Sequence, residues 1–448
     1  KEGQEAQNRL AEKFLTLWVV LVTIVTLVGV IFASPFVLFA FQWGSFAQVP
    51  GKTELTAQLT QLIFWYLLLV GMGAAVQGIL NSRKYFGVPS AGPALFNVAF
   101  ISVAWIVAPQ VDEDRQVFVL ASGILAGGFV QLASMLPLVW KIGIRPRLRW
   151  PFDHAGVKRI LKLFVPAVFG AGIYQINVLL STLLAGRLAY DGAVTVLNAS
   201  SRLAEIVLGV FVFAVGTVSL TTLSERASQG DNRGFAEEFL WTLRLVLFIT
   251  IPSCVGLYLL REPILSLLLQ SGRFDEEALR QTAWVFQFHV PGLIFVGASR
   301  ILVNAFYAYK DVETPVRIAF VNLFINLGLA AALSEGDLVY AGIALASTLA
   351  AAIQVVMLAS ALSSKVTELS FRTVAAPALQ SVGAAAVMGV AVWGGRFFIP
   401  EDAGKVLLGV AVFGVIGVGG AVFFGVASIL RMREAAFLLR GVKRKLGR

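Results

Sequence analysis

The feature that most constrains this chain is a series of continuous apolar runs, each about 20 residues long, separated by short polar linkers. A run of that length spans a bilayer as an α-helix, because the helix satisfies every backbone polar group within the segment. Twelve spans are expected, at 14–34, 56–80, 92–109, 117–140, 158–186, 194–223, 238–260, 281–308, 314–333, 338–361, 374–397 and 404–430. Composition agrees. The chain is 58% hydrophobic and 14% charged, where a soluble chain has about 45–50% and about 25%. The runs are continuous rather than alternating, which argues against an outer-membrane barrel. The linkers leave no room for a soluble domain. One cysteine, Cys254, rules out an internal disulfide, and with two histidines it makes no zinc set.

The net charge of +10 raises nucleic acid as a partner, and the positions of the charges reject it. With alternate linkers assigned to the two sides, one side collects 24 Lys and Arg and the other only 8, with 4 inside spans. The positive-inside rule then puts both termini in the cytoplasm. The sparse side also carries acidic clusters such as Asp112-Glu113-Asp114 and Glu401-Asp402. The segment 431–448 interleaves basic and apolar residues. It reads either as an amphipathic stretch on anionic inner-leaflet lipid or as a plain basic tail.

Two sequence patterns recur. Pro35-x6-Gln42-x-Gly44-x-Phe46 returns as Pro263-x6-Gln270-x-Gly272-x-Phe274, 228 residues on. Leu67-x2-Val70-Gly71-x12-Lys84-x4-Pro89 returns as Leu293-x2-Val296-Gly297-x12-Lys310-x4-Pro315, 226 residues on. The offset covers an even number of spans, so the copies run parallel about an axis along the membrane normal, an architecture of secondary transporters. The second copy is preceded by the spans 158–186 and 194–223, and the first by a dozen mostly polar residues. The repeat therefore predicts about 70 further residues and two further helices upstream, for fourteen in all.

The chain resembles the MurJ (MviN) family of lipid II flippases, within the multidrug/oligosaccharidyl-lipid/polysaccharide (MOP) superfamily. The resemblance rests on Leu80-Asn81-Ser82-Arg83-Lys84-Tyr85-Phe86-x2-Pro89-x3-Pro93-x3-Asn97, Gln175-Ile176-Asn177 with Ala185, and Ser201-Arg202-Leu203-x-Glu205. It continues through Val215-Gly216-Thr217, Trp241-x-Leu243-Arg244-Leu245 and Phe306-Tyr307-Ala308-x-Lys310-Asp311-x2-Thr314-Pro315-Val316. It implies an all-α polytopic fold of two parallel-repeat lobes plus a C-terminal helix pair, with this chain matching helices 3–14. The lobes fall at 1–145 and 146–365, the pair at 366–430 with a groove for the lipid tail, and a basic cytoplasmic tail at 431–448. It implies a transporter rather than an enzyme, in the bacterial inner membrane. The implied substrate is lipid II, an undecaprenyl-diphosphate-linked disaccharide-peptide, moved from the inner to the outer leaflet. Cell-wall synthesis proteins are implied as further partners. Several of the family's cavity arginines lie on its first two helices, outside this sequence.

Several residues stand out against the apolar background. Arg202 lies about eight residues inside its span, roughly 12 Å deep at 1.5 Å per residue, and Glu205 lies one turn deeper. Such charges face a cavity or a partner. Arg is suited to a diphosphate, since its planar fork pairs with phosphate oxygens and stays charged. Arg202 and Glu205 are therefore substrate-contacting candidates, with a pair that only fixes packing as the alternative; the resemblance adds Arg300, where the family often has a basic residue, with snorkelling to the near helix end as its alternative. Lys84 and Lys310 recur at cytoplasmic helix ends, with Arg83 beside the first, and the three read as topology determinants or gate residues. Ser181, Asn322 and Asn326 read as interhelical glue; the resemblance implies a monovalent-cation site between these helices, where some family members use carboxylates and this sequence has neutral side chains. No cofactor is expected, and coupling to membrane potential or a monovalent cation is left open. His289 beside Pro291 reads as structural. Two rival functions stand beside the flippase. One is another MOP transporter, for O-antigen or capsule lipid or for drugs. The other is an inactive membrane scaffold for cell-wall synthesis.

Overall fold

The structure, a computed structural model, describes residues 2–41, 45–144, 168, 172–173, 175–188, 192–271, 274–336, 338–400 and 404–445. The described residues are helical apart from short connections, and form no β-strand. The chain divides into two compact units, Lys1–Ala171 and Gly172–Arg448.

The first unit contains α1 (Glu2–Ala40), α2 (Lys52–Ser82), α3 (Gly87–Ser102) and α4 (Glu113–Lys141). α3 runs on through a π-turn at Val103–Val107. α2 packs against both α1 and α4, and α3 packs against α4. In lipid the tails are as apolar as the side chains, so close packing rather than hydrophobic burial holds such helices together. Gly71 supplies it here. A Cβ at this position would lie 2.8 Å from Val22 Cγ1 of α1, and Trp18 Nε1 donates to the Gly71 carbonyl at 2.8 Å.

The second unit contains α5 (Gln175–Gly186), α6 (Ala193–Val207), α7 (Phe213–Ser228), α8 (Asn232–Leu259) and α9 (Arg261–Leu269). It continues with α10 (Glu276–His289), α11 (Gly292–Ala308), α12 (Glu313–Ser334), α13 (Tyr340–Lys365), α14 (Arg372–Arg396), α15 (Lys405–Ile429) and α16 (Arg433–Lys445). The packing of the first unit recurs. α11 lies against α8 and α13, and α12 lies against α13. The close contact recurs as well: a Cβ on Gly297 would lie 3.1 Å from Val246 Cγ1 of α8. α7 and α14 cover α8 in addition, and the core here is rich in phenylalanine, with Phe235, Phe239, Phe286 and Phe306 fully buried.

Among the described residues nine helices are long and apolar enough to cross a membrane, and α10 with α11 makes a tenth, bent by 45°. Of the twelve expected spans, 158–186 lies largely outside the described residues. The span 194–223 is α6 and α7 joined through a π-turn at Leu208–Val212. Arg202 and Glu205 lower its hydropathy.

Both copies of the repeat end the same helix in the same way. Lys84 and Lys310 have left-handed backbones, with φ of 63° and 59°. Tyr85 N–H donates to Leu80 O and Lys84 N–H to Asn81 O, both at 3.0 Å. Asp311 N–H donates to Phe306 O at 3.0 Å and Lys310 N–H to Tyr307 O at 2.9 Å. This is the Schellman pattern, in which glycine is the usual left-handed residue. A lysine there meets the Cβ penalty but puts a cation against the negative end of the helix dipole.

Candidate functional site

α6 has two contrasting faces. Val196, Ser200, Leu203 and Ala204, spaced i, i+4, i+7 and i+8, are buried and form the packing face. Asn198, Arg202 and Glu205, spaced i, i+4 and i+7, lie on the opposite side. The packing face is pinned by a polar contact: Ser200 Oγ and His289 Nδ1 share a hydrogen bond of 2.6 Å. His289 ends α10 at the bend, so α6 is fixed to the break between α10 and α11.

Arg202 and Glu205 make an ion pair at 3.7 Å, with side chains 81% and 49% exposed. That separation is too long for a hydrogen bond, and an exposed pair contributes little to stability. The guanidinium thus remains accessible to an anion. Asn198 extends the polar face by one turn. It escaped the sequence reading because an isolated asparagine in an apolar run carries no periodic signal, and its Nδ2 donates to Val194 O at 2.9 Å.

Arg300 sits on α11, half-buried, with Nη1 enclosed. One turn on, Asn304 Nδ2 donates to Gly216 O of α7 at 3.1 Å, fixing the rotation of α11 against the helix that continues from α6.

The helix-end candidates have local partners. Arg83 Nη2 donates to Asn8 Oδ1 of α1 at 2.6 Å. Its counterpart in the second copy is Tyr309, whose hydroxyl donates to Asn232 Oδ1 of α8 at 3.0 Å. Beside it Asp311 accepts from Thr314 N–H at 3.0 Å and Thr314 Oγ1 at 2.9 Å, and pairs with Lys365 Nζ at 2.8 Å. Burial alone pushes the Asp311 carboxyl up, but Lys365 and Thr314 together hold it below its ordinary value. Asp231, the N-cap of α8, is lowered as well, first by the Gly234 N–H and then by Arg226.

The candidate cation ligands lie on α5 and α12. Asn326 is buried and donates to Ser347 Oγ at 3.3 Å, and Asn322 donates to Gln354 Oε1 at 3.3 Å. The Oδ1 atoms of Asn322 and Asn326, and of Asn177 on α5, are buried without a hydrogen-bond partner. Ser181 lies one turn after Asn177. Orphaned neutral oxygens of this kind suit a water or a loosely held monovalent cation, and they carry no charge to hold a divalent one. Among the described residues no cluster of His, Cys, Asp and Glu could hold a metal.

Long apolar helices whose packing recurs in each unit, with a polar face on one helix of the second, are those of a polytopic membrane transporter. A solved structure described as lipid II flippase MurJ in an inward-closed conformation superposes with a TM-score of 0.75 at 19% identity, covering 95% of this chain and 84% of the other. An inward-facing multidrug resistance MATE family transporter of the MOP superfamily superposes with a TM-score of 0.66 at 13% identity, covering 81% and 88%. The chain belongs to the MurJ family, whose profile, described as lipid II flippase MurJ, matches residues 1–411. A probable lipid II flippase MurJ of Vibrio cholerae is 32% identical over 84% of this chain and 72% of its own length. One from Haemophilus influenzae is 32% identical over 85% and 75%.

Proposed function

We propose that this chain carries lipid II from the inner to the outer leaflet of the bacterial cytoplasmic membrane, as a transporter and not as an enzyme. Membership of the flippase family over most of the chain supports the substrate. The exposed Asn198–Arg202–Glu205 face supports the manner of carriage. A diphosphate headgroup cannot cross hydrocarbon unaided, because burying its charge costs far more than binding repays. A flippase supplies a polar face for the headgroup and leaves the tail in lipid. The Arg202 guanidinium can pair with two phosphate oxygens at once, while Glu205 draws it to one side of the helix and Ser200 with His289 holds the helix in place. Access alternates between the two sides, as in other repeat-built transporters.

In this reading both termini lie in the cytoplasm, following the charge asymmetry of the linkers. The energy comes from the membrane potential acting on a cationic site, or from a monovalent cation at the orphaned oxygens of Asn177, Asn322 and Asn326 with Ser181. In cells depleted of their own lipid II flippase, Arg202→Ala is expected to abolish support of growth, and Arg202→Lys to retain part of it. Normal growth of the alanine variant at native expression would remove Arg202 from the site. Native mass spectrometry with lipid II and an unrelated undecaprenyl-diphosphate sugar tests the substrate. Equal binding of both lipids would favour a broader MOP exporter.

A further inference from the structure

The junction of α15 and α16 borders an open cavity of about 610 Å³ lined by Trp241, Ser428, Arg431, Arg433, Phe437 and Arg440, among others. Three of these six side chains are cations, and they arrive by two routes. Arg431 is the left-handed residue that closes α15, with φ of 54°. Its N–H donates to Ser428 O and the Met432 N–H to Ala427 O, both at 3.0 Å. Arg433, Ala436, Phe437 and Arg440 then follow at i, i+3, i+4 and i+7, which is one face of α16. The opposite face carries Glu434 and Ala435, both buried, and Leu438, which packs into the core shared by α14 and α15. The segment's one carboxylate is therefore turned away from the cavity.

Trp241 of α8 forms one wall of the cavity, meeting Phe437 edge-on with ring centroids 5.7 Å apart. Among the described residues none of Arg431, Arg433 and Arg440 forms an ion pair. Arg440 Nε donates to Ala436 O at 3.1 Å, which steadies its guanidinium. A fourth cation lies one turn deeper. Arg244 shares a face of α8 with Trp241 and Phe248 (i, i+3, i+7), and Phe248 meets Phe423 of α15 at 4.9 Å. Arg244 thus sits between two aromatic contacts, and its Nε is buried without a hydrogen-bond partner.

We infer that this cavity binds the phosphate of an anionic glycerophospholipid, seating α16 on the inner leaflet. Its volume falls in the range of small-molecule sites, about 300–1,000 Å³. Guanidinium forks match phosphate oxygens, and tryptophan, with an apolar ring and a polar N–H, is characteristic of the membrane–water boundary. A zwitterionic headgroup offers the same phosphate with a cation beside it, which the arginine cluster repels. Lipid binding here does not require lipid II transport, so the two fail separately.

The test uses the full chain, delipidated in neutral detergent and titrated with phosphatidylglycerol or phosphatidylcholine, with binding read by native mass spectrometry. Phosphatidylglycerol is expected to bind about tenfold more tightly or better, with the preference weakened by salt. Arg433→Ala with Arg440→Ala brings the two lipids within about twofold, since alanine keeps the helix and removes the forks. Arg433→Lys with Arg440→Lys retains part of the preference and shows that the fold is intact. Arg233→Ala with Arg317→Ala removes the same charge elsewhere and leaves the preference in place. An equal loss in that control would replace the site with diffuse attraction and overturn the inference. So would an unchanged preference in the Arg433→Ala, Arg440→Ala variant. Displacement of phosphatidylglycerol by equimolar undecaprenyl diphosphate would assign the cavity to the transported lipid and overturn it too.

Discussion

In the first copy of the repeat, α2 runs unbroken from Lys52 to Ser82. In the second, the matching stretch is two helices, α10 and α11, that meet at 45° around Val290 and Pro291. α1 is likewise continuous, with Pro35 inside it, whereas its counterpart breaks at Leu260 into α8 and α9. The contacts between helices are nevertheless the same, down to the Gly71–Val22 and Gly297–Val246 approaches. Residue spacing explains one break. Val22 and Val246 are 224 residues apart, but Pro35 and Pro263 are 228 apart. The second copy holds four extra residues between those points, about one helical turn, and the helix parts there. The other break follows from chemistry. Pro291 stands where the first copy has Trp65, and proline removes a backbone donor and clashes with the preceding turn.

A broken helix in a membrane must have its freed carbonyls satisfied by protein. The second copy does this from neighbouring helices. Thr348 Oγ1 of α13 donates to Phe288 O at 2.6 Å, Cys254 Sγ of α8 donates to Val290 O at 3.1 Å, and Ser200 of α6 meets His289. The comparison teaches that the duplicated packing is tolerant, while the second copy's bend is held by specific polar contacts.

Four tests, with six substitutions between them, sharpen that contrast, from the largest expected effect to the smallest. Gly342→Ala drives a Cβ into the Leu333 carbonyl, where α13 meets the end of α12. A backbone contact cannot yield as a side chain can, so about 3 kcal/mol of destabilisation is expected. Gln116→Ala, at the matching place in the first copy, should stay within about 0.5 kcal/mol. Thermal unfolding in detergent measures both, and equal effects would contradict the difference between the copies.

Thr348→Val leaves the Phe288 carbonyl without its donor and should cost about 1–3 kcal/mol, read as a lowered Tm and faster hydrogen exchange around His289. An unchanged exchange pattern would show that the bend does not depend on this bond.

The third concerns pH. The folded Asp311 carboxyl lies below its ordinary value. The stability it contributes is therefore complete above the unfolded carboxylate pKa of about 4 and is lost as pH falls through the folded value. Asp311→Asn should lower Tm at pH 7 by the equivalent of about 1 kcal/mol or less, as befits a partly exposed pair. The gap to wild type should close below about pH 4. A gap that persists into acid would mean that the Lys365 pair is not its source.

The smallest effect is shared by both copies. Lys84→Gly and Lys310→Gly remove the left-handed Cβ penalty of about 1 kcal/mol and lose a dipole contact worth about 0.3–1 kcal/mol. Each should change stability by less than about 1 kcal/mol, and by the same amount in both copies. Unequal responses would give one of these lysines a further role.

The apolar runs and the repeat were legible in the sequence because both depend on residue type and spacing alone, and the helix ends at Lys84 and Lys310 followed from the repeat. The end of α8 at Leu260 was legible as the end of the span 238–260, but the helix that follows it was not, since hydropathy reports residue type and not backbone conformation. α9 was accordingly read as a linker. The π-turns at Val103–Val107 and Leu208–Val212 were invisible for the same reason. At the candidate site, the charges Arg202 and Glu205 stood out, but the face they share with Asn198 needed the burial of Ser200 and Ala204 on the other side. His289 read as structural from its isolation. Its partner, Ser200, is 89 residues away and had no sequence signal.

The lysines that close α2 and α11 have a consequence for how such a protein arose. On the orientation proposed above, one residue both stops the helix and counts toward retention of that end in the cytoplasm. A gene segment bearing this cap brings its own orientation signal when it is copied. Tandem duplication of the unit can therefore yield a second lobe inserted in the same sense, with no new charge needed elsewhere.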